Sequence, residues 1–266
     1  MKTQTLCGPL SHKHRRRGLY LVVSLVLVFG VGYSLWGDEG VAAPAGPSTS
    51  AAEWSSLYHP YGQQMREESS TASATCDDLS VLVDRSHTLP SHYAPGDLVP
   101  LQDYGVPTLG SEVLRRGAAE HLGRLVEDAA SDGEELVVAS GYRSYEEQKL
   151  SHARLMSVFG AGAGRMSATP GHSQHQLGTA VDFTNAAAGY EIWGLFAQTS
   201  AHWWLEQHAW EYGFVLAYPI GKEDQTGFEW EPWHYRYVGV EDARRLEESG
   251  LSLQEFLERE GTIPHC

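Results

Sequence analysis

Ser173-Gln174-His175-Gln176-Leu177-Gly178-Thr179-Ala180-Val181-Asp182 and, farther along, Glu231-Pro232-Trp233-His234 are the two segments whose reading decides the fold. Thr179 to Thr184 has the composition of a short strand, and His234 to Val238 reads as a second one. Strand side chains alternate with period two, so Ala180 and Asp182 share one face, as do His234 and Arg236. Gly178 permits a sharp turn just before the first strand, which lets His175 fold back beside Asp182. Neighbouring strands of this kind offer His175, Asp182 and His234 to one ion.

Three protein ligands with a fourth position open is the pattern of a catalytic rather than a structural zinc site. Two imidazoles and one carboxylate suit Zn2+, although manganese and iron accept the same donors. Glu231 lies three residues before His234, and in an unbroken strand the two would point to opposite faces. Pro232 argues against an unbroken strand. A bend there places Glu231 over the open position, where it serves as general base for hydrolysis. The two segments therefore point to a zinc peptidase. The chain has 13 histidines, and His172, chemically as able as His175, is read as a support to the ligands or as incidental.

The charge balance sets the surroundings. The formal net charge is -15, yet residues 1–17 hold five basic residues (Lys2, Lys13, Arg15, Arg16, Arg17) and no acid. The rest of the chain carries 14 basic against 34 acidic residues. A surface that acidic argues against nucleic acid and against anionic lipid headgroups, but it tolerates a cationic or zwitterionic substrate. After the basic cluster, Gly18 to Trp36 contains no charge, close to the roughly 20 residues that cross a bilayer as a helix. Arginines on its N-terminal side keep that end in the cytoplasm and send the remainder outward. The expected organisation is a cytoplasmic basic tail over 1–17, a transmembrane signal-anchor over 18–36, a flexible linker over 37–75 and the zinc peptidase domain over 76–266. A cleaved signal peptide is the alternative, since Val41-Ala42-Ala43 offers small residues downstream, with Pro44 badly placed for cleavage after Ala43.

The linker assignment rests on the Gly, Pro, Ala, Ser and Thr content of residues 37–75. Cys7 precedes the apolar run, which leaves Cys76 and Cys266 as the pair in the exported part. An oxidising compartment favours a disulfide between them, with two free thiols as the alternative. Order begins near Cys76 with an expected strand over Leu79 to Val83. Leu114, Ala118, Leu122, Leu125 and Ala129 give Ser111 to Ala130 a helical spacing. A strand follows over Glu135 to Ala139. Ser144 with Glu147 forms a capping box for a helix over Tyr145 to Val158, and Gly160 to Gly171 is a glycine-rich loop. Later elements are a helix over Ser200 to Tyr212, a strand over Phe214 to Tyr218, a helix over Glu241 to Glu248 and a last helix capped by Ser252 and Glu255. Strands and helices mix without regular βαβ spacing. The fold class is thus α+β, a small and mainly antiparallel sheet flanked by helices.

Three ordered motifs carry a resemblance to a known family. Ser140-Gly141-Tyr142-Arg143-Ser144, Pro170-Gly171-His172-Ser173-Gln174-His175 through Asp182, and Glu231-Pro232-Trp233-His234-Tyr235-Arg236-Tyr237-Val238-Gly239 together resemble the VanY-type D-alanyl-D-alanine carboxypeptidases. These belong to the wider group of lysostaphin-like, D-Ala-D-Ala peptidase and hedgehog-like folds. The likeness covers roughly residues 76 to 260. It implies that His175, Asp182 and His234 are zinc ligands and that Glu231 is the catalytic base. It further implies that Arg143, and with it Gln148 and Ser173, contacts substrate. A guanidinium suits the terminal carboxylate that a carboxypeptidase must hold; an ordinary structural ion pair is the alternative for Arg143, and bracing of the backbone for Gln148 and Ser173. Gln174 departs from the family pattern, where Glu is common, and Ala217 stands where a basic residue is common. Trp230, Trp233, Tyr235 and Tyr237 are read as core residues before cleft residues.

The resemblance implies a bacterial enzyme anchored in the cell membrane, or secreted if the signal is cleaved, that removes C-terminal D-alanine from peptidoglycan stem peptides. Its partners are the stem peptide and the membrane, with no nucleic acid and no protein partner inferable. The alternatives are an L,D-carboxypeptidase on tetrapeptide stems, a peptidoglycan endopeptidase, a non-catalytic zinc-stabilised wall-binding module, and a structural protein without metal.

Overall fold

The structure is a computed structural model that describes residues 76–261, 263, 264 and 266. The basic tail, the apolar run over 18–36 and the linker lie outside the described residues; among the described residues no helix is long and apolar enough to cross a membrane.

The elements follow in chain order as β1 (Leu98–Pro100), β2 (Val113–Arg115), α1 (Arg116–Ser131), β3 (Val137–Ser140), α2 (Tyr145–Phe159), β4 (Ala180–Thr184), α3 (Ser200–His208), β5 (Phe214–Leu216), α4 (Glu223–Thr226), β6 (His234–Tyr237), α5 (Val240–Ser249) and α6 (Leu253–Glu260). Strands β1 and β2 pair as a small separate ribbon, and the main sheet runs β3-β4-β6-β5 with every neighbour antiparallel. The mixed helix and antiparallel-sheet class is therefore as the sequence indicates.

Alternation along the strands divides the sheet's two faces. Val181 and Phe183 of β4, Tyr235 and Tyr237 of β6, Val138 of β3 and Phe214 of β5 join the main core. Against them pack Ala118, Leu122, Leu125 and Ala129 of α1 and Leu205 of α3. Each fully buried Leu or Phe contributes about 1.5–3 kcal/mol relative to exposure, so this layer is what fixes the sheet. Asp182, His234 and Arg236 occupy the opposite face. A second cluster, including Leu246, Phe256 and Leu257, packs α5 and α6 against β5.

Three expected elements change, one of them the glycine-rich loop over Gly160 to Gly171, whose Gly160–Arg165 winds into a 3-10 helix. Leu79 to Val83 does not form a strand: its run is apolar, but the buried Arg236 guanidinium takes the carbonyls of Leu79 at 2.9 Å and Val81 at 2.6 Å, in place of a strand partner. The helix expected from Ser111 begins instead at Arg116, because Val113 to Arg115 pair with β1. Capping boxes form at Ser144/Glu147 and at Ser252/Glu255, where expected.

Cys76 and Cys266 are disulfide-bonded, with Cα atoms 5.8 Å apart. The bridge ties the two ends of the domain across 190 residues. Its loss should cost about 2–5 kcal/mol, mainly by freeing the unfolded chain. At about 2–4 °C per kcal/mol for this size, Cys266→Ser should melt about 4–20 °C below the oxidised wild type in calorimetry. Equal melting temperatures with and without the bridge would show that it contributes nothing to stability.

Candidate active site

The site is assembled where the antiparallel register lines up three strands. Asp182 of β4 pairs with Ser140 of β3 on one side and with His234 of β6 on the other. A register shift between Val138 and Ser140 brings Ser140, not Ala139, opposite Asp182. Bulges of this kind re-aim side chains beside active sites. His175 arrives from a 3-10 turn, Gln174–Leu177, whose start is capped by Ser173: its Oγ accepts from the His175 N–H at 3.3 Å. Gly178 closes the turn at φ 67, and a Cβ there would meet Leu98 Cδ2 at 2.9 Å. Only glycine satisfies both demands, and the chain reverses so that His175 returns to Asp182.

The sequence-derived triad comes together. His175, Asp182 and His234 are buried and each offers one donor atom, all within 4.8 Å of one another. His175 Nε2 lies 3.2 Å from Asp182 Oδ2, and His234 Nδ1 lies 3.0 Å from Asp182 Oδ1. Glu231 stands beside them with Oε2 3.7 Å from His234 Nδ1. The bend at Pro232 is real: the His234 N–H donates to the Glu231 carbonyl at 3.0 Å, closing a turn immediately before β6.

The outward nitrogen of each imidazole has its own partner. His175 Nδ1 donates to the Gly141 carbonyl at 2.7 Å, which leaves Nε2 as the bare nitrogen. His234 Nε2 donates to Gln174 Oε1 at 3.2 Å, which leaves Nδ1 bare. Such outer hydrogen bonds set which nitrogen can bind a metal. Bare nitrogens facing carboxylate oxygens at 3.0–3.2 Å repel unless a proton or a cation lies between. Burial drives His175 down to about 4, against the pull of Asp182, so near neutrality a proton does not fill that role. The donor set of two nitrogens and one carboxylate thus fits a divalent cation, and zinc in particular.

Arg143 sits at the same face. It donates to Gln148 Oε1 at 2.8 Å and to Ser140 Oγ at 3.1 Å, with Asp182 Oδ2 3.7 Å away. Gln148 is buried, and its amide nitrogen donates to the Ala168 carbonyl at 2.6 Å and to Ser167 Oγ at 3.2 Å. Its amide is thus engaged in holding Arg143 and the Ser167–Ala168 wall. All seven residues singled out from the sequence line one cavity of about 320 Å3. Sequence reasoning missed Ser140, Tyr218 and Trp193 on the same cavity. The Tyr218 ring lies 4.9 Å from that of His234, and Trp193 meets Trp233 edge-on at 5.3 Å. Trp233 thus serves both core and cleft, while Tyr235 and Tyr237 are core alone. Ala217 is buried in the second cluster, away from the cleft.

The comparisons with known proteins agree with this geometry. The VanY family model, D-alanyl-D-alanine carboxypeptidase, matches residues 111–240. YodJ of Bacillus subtilis (strain 168), a carboxypeptidase by name, is 36% identical over 69% of this chain and 68% of its own length. The LdcB LD-carboxypeptidase, solved to explain peptidoglycan recognition, superposes with a TM-score of 0.63 at 36% identity, covering 69% of this chain and 87% of that one. A vancomycin-resistance D,D-pentapeptidase VanY in complex with Zn(II) gives a TM-score of 0.57 at 31% identity, covering 67% and 98%. Fold and relatives together define a hydrolase of the carboxypeptidase class. The chain belongs to the VanY D-alanyl-D-alanine carboxypeptidase family.

The buried charges make an acid-stability prediction with opposing parts. His175 holds its proton only below about 4 when folded, against about 6.5 when unfolded. Between those values the unfolded chain binds the extra proton, so this group's contribution is lost as pH falls. Glu231 runs the other way: burial, then the charge of Asp182, raises it well above the ordinary carboxylate range. Above its unfolded value the folded state binds the extra proton, so acidification favours folding there. In the metal-free Glu231→Gln variant only the first effect remains. Its melting temperature should fall steadily from pH 6.5 to 4, while metal-free wild type stays flatter; parallel curves for the two proteins would contradict the assignment.

Proposed function

We propose that this chain is a zinc-dependent D-alanyl-D-alanine carboxypeptidase that removes the C-terminal D-alanine from peptidoglycan stem peptides. The observation that carries the reading is the buried His175, Asp182 and His234 cluster with Glu231 and Arg143 on one cleft. His175, Asp182 and His234 would hold Zn2+, which when bound supplies Lewis acidity toward water and a peptide carbonyl. Glu231 takes the proton of the attacking water and returns it to the leaving amine. In the metal-free site burial and the charge of Asp182 raise its affinity for protons; a bound cation would oppose that shift and leave the carboxylate free to accept the proton. Arg143 binds the substrate's terminal carboxylate; Ser140 and Gln148 fix the guanidinium and leave donors for a bidentate contact. Ser173 shapes the His175 turn, and so acts on substrate only through that turn.

The test is mass spectrometry of pentapeptide and tetrapeptide muropeptides after incubation with the zinc-loaded full-length protein. Loss of one alanine from the pentapeptide supports the proposal. An L,D-carboxypeptidase is the second reading, favoured by the 36% identity to LdcB, and it predicts shortening of the tetrapeptide instead. Cleavage of crosslinked dimers would signal an endopeptidase, and saturable binding without product a wall-binding module. The reading includes an outward-facing domain held at the bacterial membrane, supported by the uncharged run over 18–36 behind its basic cluster.

A further inference from the structure

Glu112, one residue before β2, carries a half-buried carboxylate that no step of the proposed reaction uses. Its Oε2 accepts the Gly141 N–H at 2.6 Å, a donor that lies just past the end of β3 at Ser140. The next residue, Val113, takes the Tyr142 N–H on its carbonyl oxygen at 2.8 Å. The start of β2 thus clamps residues 140–143 at two successive amides. A carboxylate is costly to remove from water unless it is hydrogen-bonded. Burial raises the proton affinity of Glu112, and the Gly141 N–H, followed by the charge of Arg143, opposes that rise.

The clamp depends on a close approach of backbones. A Cβ on Gly141 would sit 2.7 Å from the Val113 carbonyl oxygen, so glycine alone lets the segment lie this near β2. The site hangs from that segment at three points. Ser140 Oγ accepts from Arg143 Nη2 at 3.1 Å. The Gly141 carbonyl accepts from His175 Nδ1 at 2.7 Å, and the Arg143 N–H donates to the His175 carbonyl at 3.2 Å. His175 is therefore tied to the segment by both its ring and its backbone. A shift of the Gly141 peptide is passed at once to the bare Nε2 of a metal donor and to the guanidinium of Arg143.

We propose that Glu112 is a positioning residue for both halves of the site: by holding the Gly141 N–H it sets His175 toward the metal and Arg143 toward the substrate's terminal carboxylate. The inference rests on the zinc carboxypeptidase reading. Glu112 itself lies outside both the donor cluster and the cavity lining, so it acts only through residues 140–143. Such a role requires reach to the Gly141 N–H and an acceptor oxygen there; it does not require charge. Aspartate at 112 keeps the charge and falls one methylene short. Glutamine keeps the reach and a carbonyl oxygen that accepts the same bond.

The experiment compares Glu112→Asp and Glu112→Gln with wild type, each as the full-length protein. Zinc affinity is measured by competition with a chromophoric chelator in the absence of substrate, and KM and kcat for D-alanine release from a pentapeptide are measured on zinc-saturated protein. Outer hydrogen-bond partners of metal ligands change affinity by about 10- to 100-fold, and Glu112 acts one bond farther out, so Glu112→Asp should weaken zinc binding about three- to tenfold. It should raise KM about three- to tenfold and leave kcat within about twofold, because the proton-transfer residue Glu231 stands on another segment. Glu112→Gln should stay within about twofold of wild type in both readings, and, being the size of glutamate, it keeps the test decisive if Glu112→Asp does not fold. Wild-type zinc affinity or KM in Glu112→Asp overturns the proposal, even if its melting temperature falls, since that pattern marks an ordinary structural bond. Loss in Glu112→Gln overturns it as well, because the effect would then come from charge near Arg143 and Asp182. The zinc reading needs no turnover, so it judges Glu112 even if wild type releases no D-alanine, an outcome that fails the carboxypeptidase reading alone.

Discussion

Glu231→Ala should lower kcat by about 10^2- to 10^4-fold while the protein keeps its full complement of zinc, the range expected when a positioned general base is removed. Two features of the site separate the base from the metal donors. Glu231 enters on the turn closed by the His234 N–H, one side of the bend at Pro232, whereas His234 itself begins β6. The donor cluster comprises His175, Asp182 and His234 and does not need Glu231 to close. Deleting the carboxylate therefore removes proton transfer and leaves the ligands in place. Glu231→Gln should be impaired to a similar degree, since the amide fills the same space and cannot accept the proton. The measurements are alanine release by mass spectrometry and zinc content by elemental analysis on the same samples. Hydrolysis within tenfold of wild type in a fully zinc-loaded variant would refute the assigned role.

The pairing of β4 with β6 was legible in the sequence because both strands alternate strictly around Asp182 and His234, and Pro232 announced the bend. What stayed hidden depended on contacts distant in sequence. Leu79 to Val83 has a strand's composition, but its carbonyls go to Arg236, more than 150 residues away. Leu114 fits the spacing of the helix that follows it and equally the alternation of a strand; the β1 partner decides. Gln174 could be recognised as a departure beside a ligand, yet its task, holding the far nitrogen of His234, appears only when β6 lies next to the His175 turn. The same holds for Gln148, whose contacts with Arg143 and the Ser167–Ala168 wall define it as a brace. Residues whose chemistry is local were read directly, and residues that act through a neighbour were not.

Asp182→Asn should abolish stoichiometric zinc binding, and with it hydrolysis, with only a small change in side-chain volume. Asp182 is the one anionic member of the donor cluster and the only one that faces both imidazoles. Burial alone would raise its proton affinity, but the two histidines outweigh that and hold it below the usual carboxylate range. Its negative charge is therefore available to a cation near neutrality. An amide in its place carries no charge and turns one of its two positions into a donor, so it cannot satisfy both bare nitrogens and a cation together. The decisive readout is thermal. Ligand binding to the folded state alone stabilises it by roughly 4 kcal/mol at a thousandfold excess over Kd. Wild type and Glu231→Gln should both melt several degrees higher when zinc is added, whereas Asp182→Asn should not shift. If Asp182→Asn retains the zinc-dependent rise, the ion is held elsewhere; if Glu231→Gln loses it, Glu231 is a ligand and the separation of base from donor set fails.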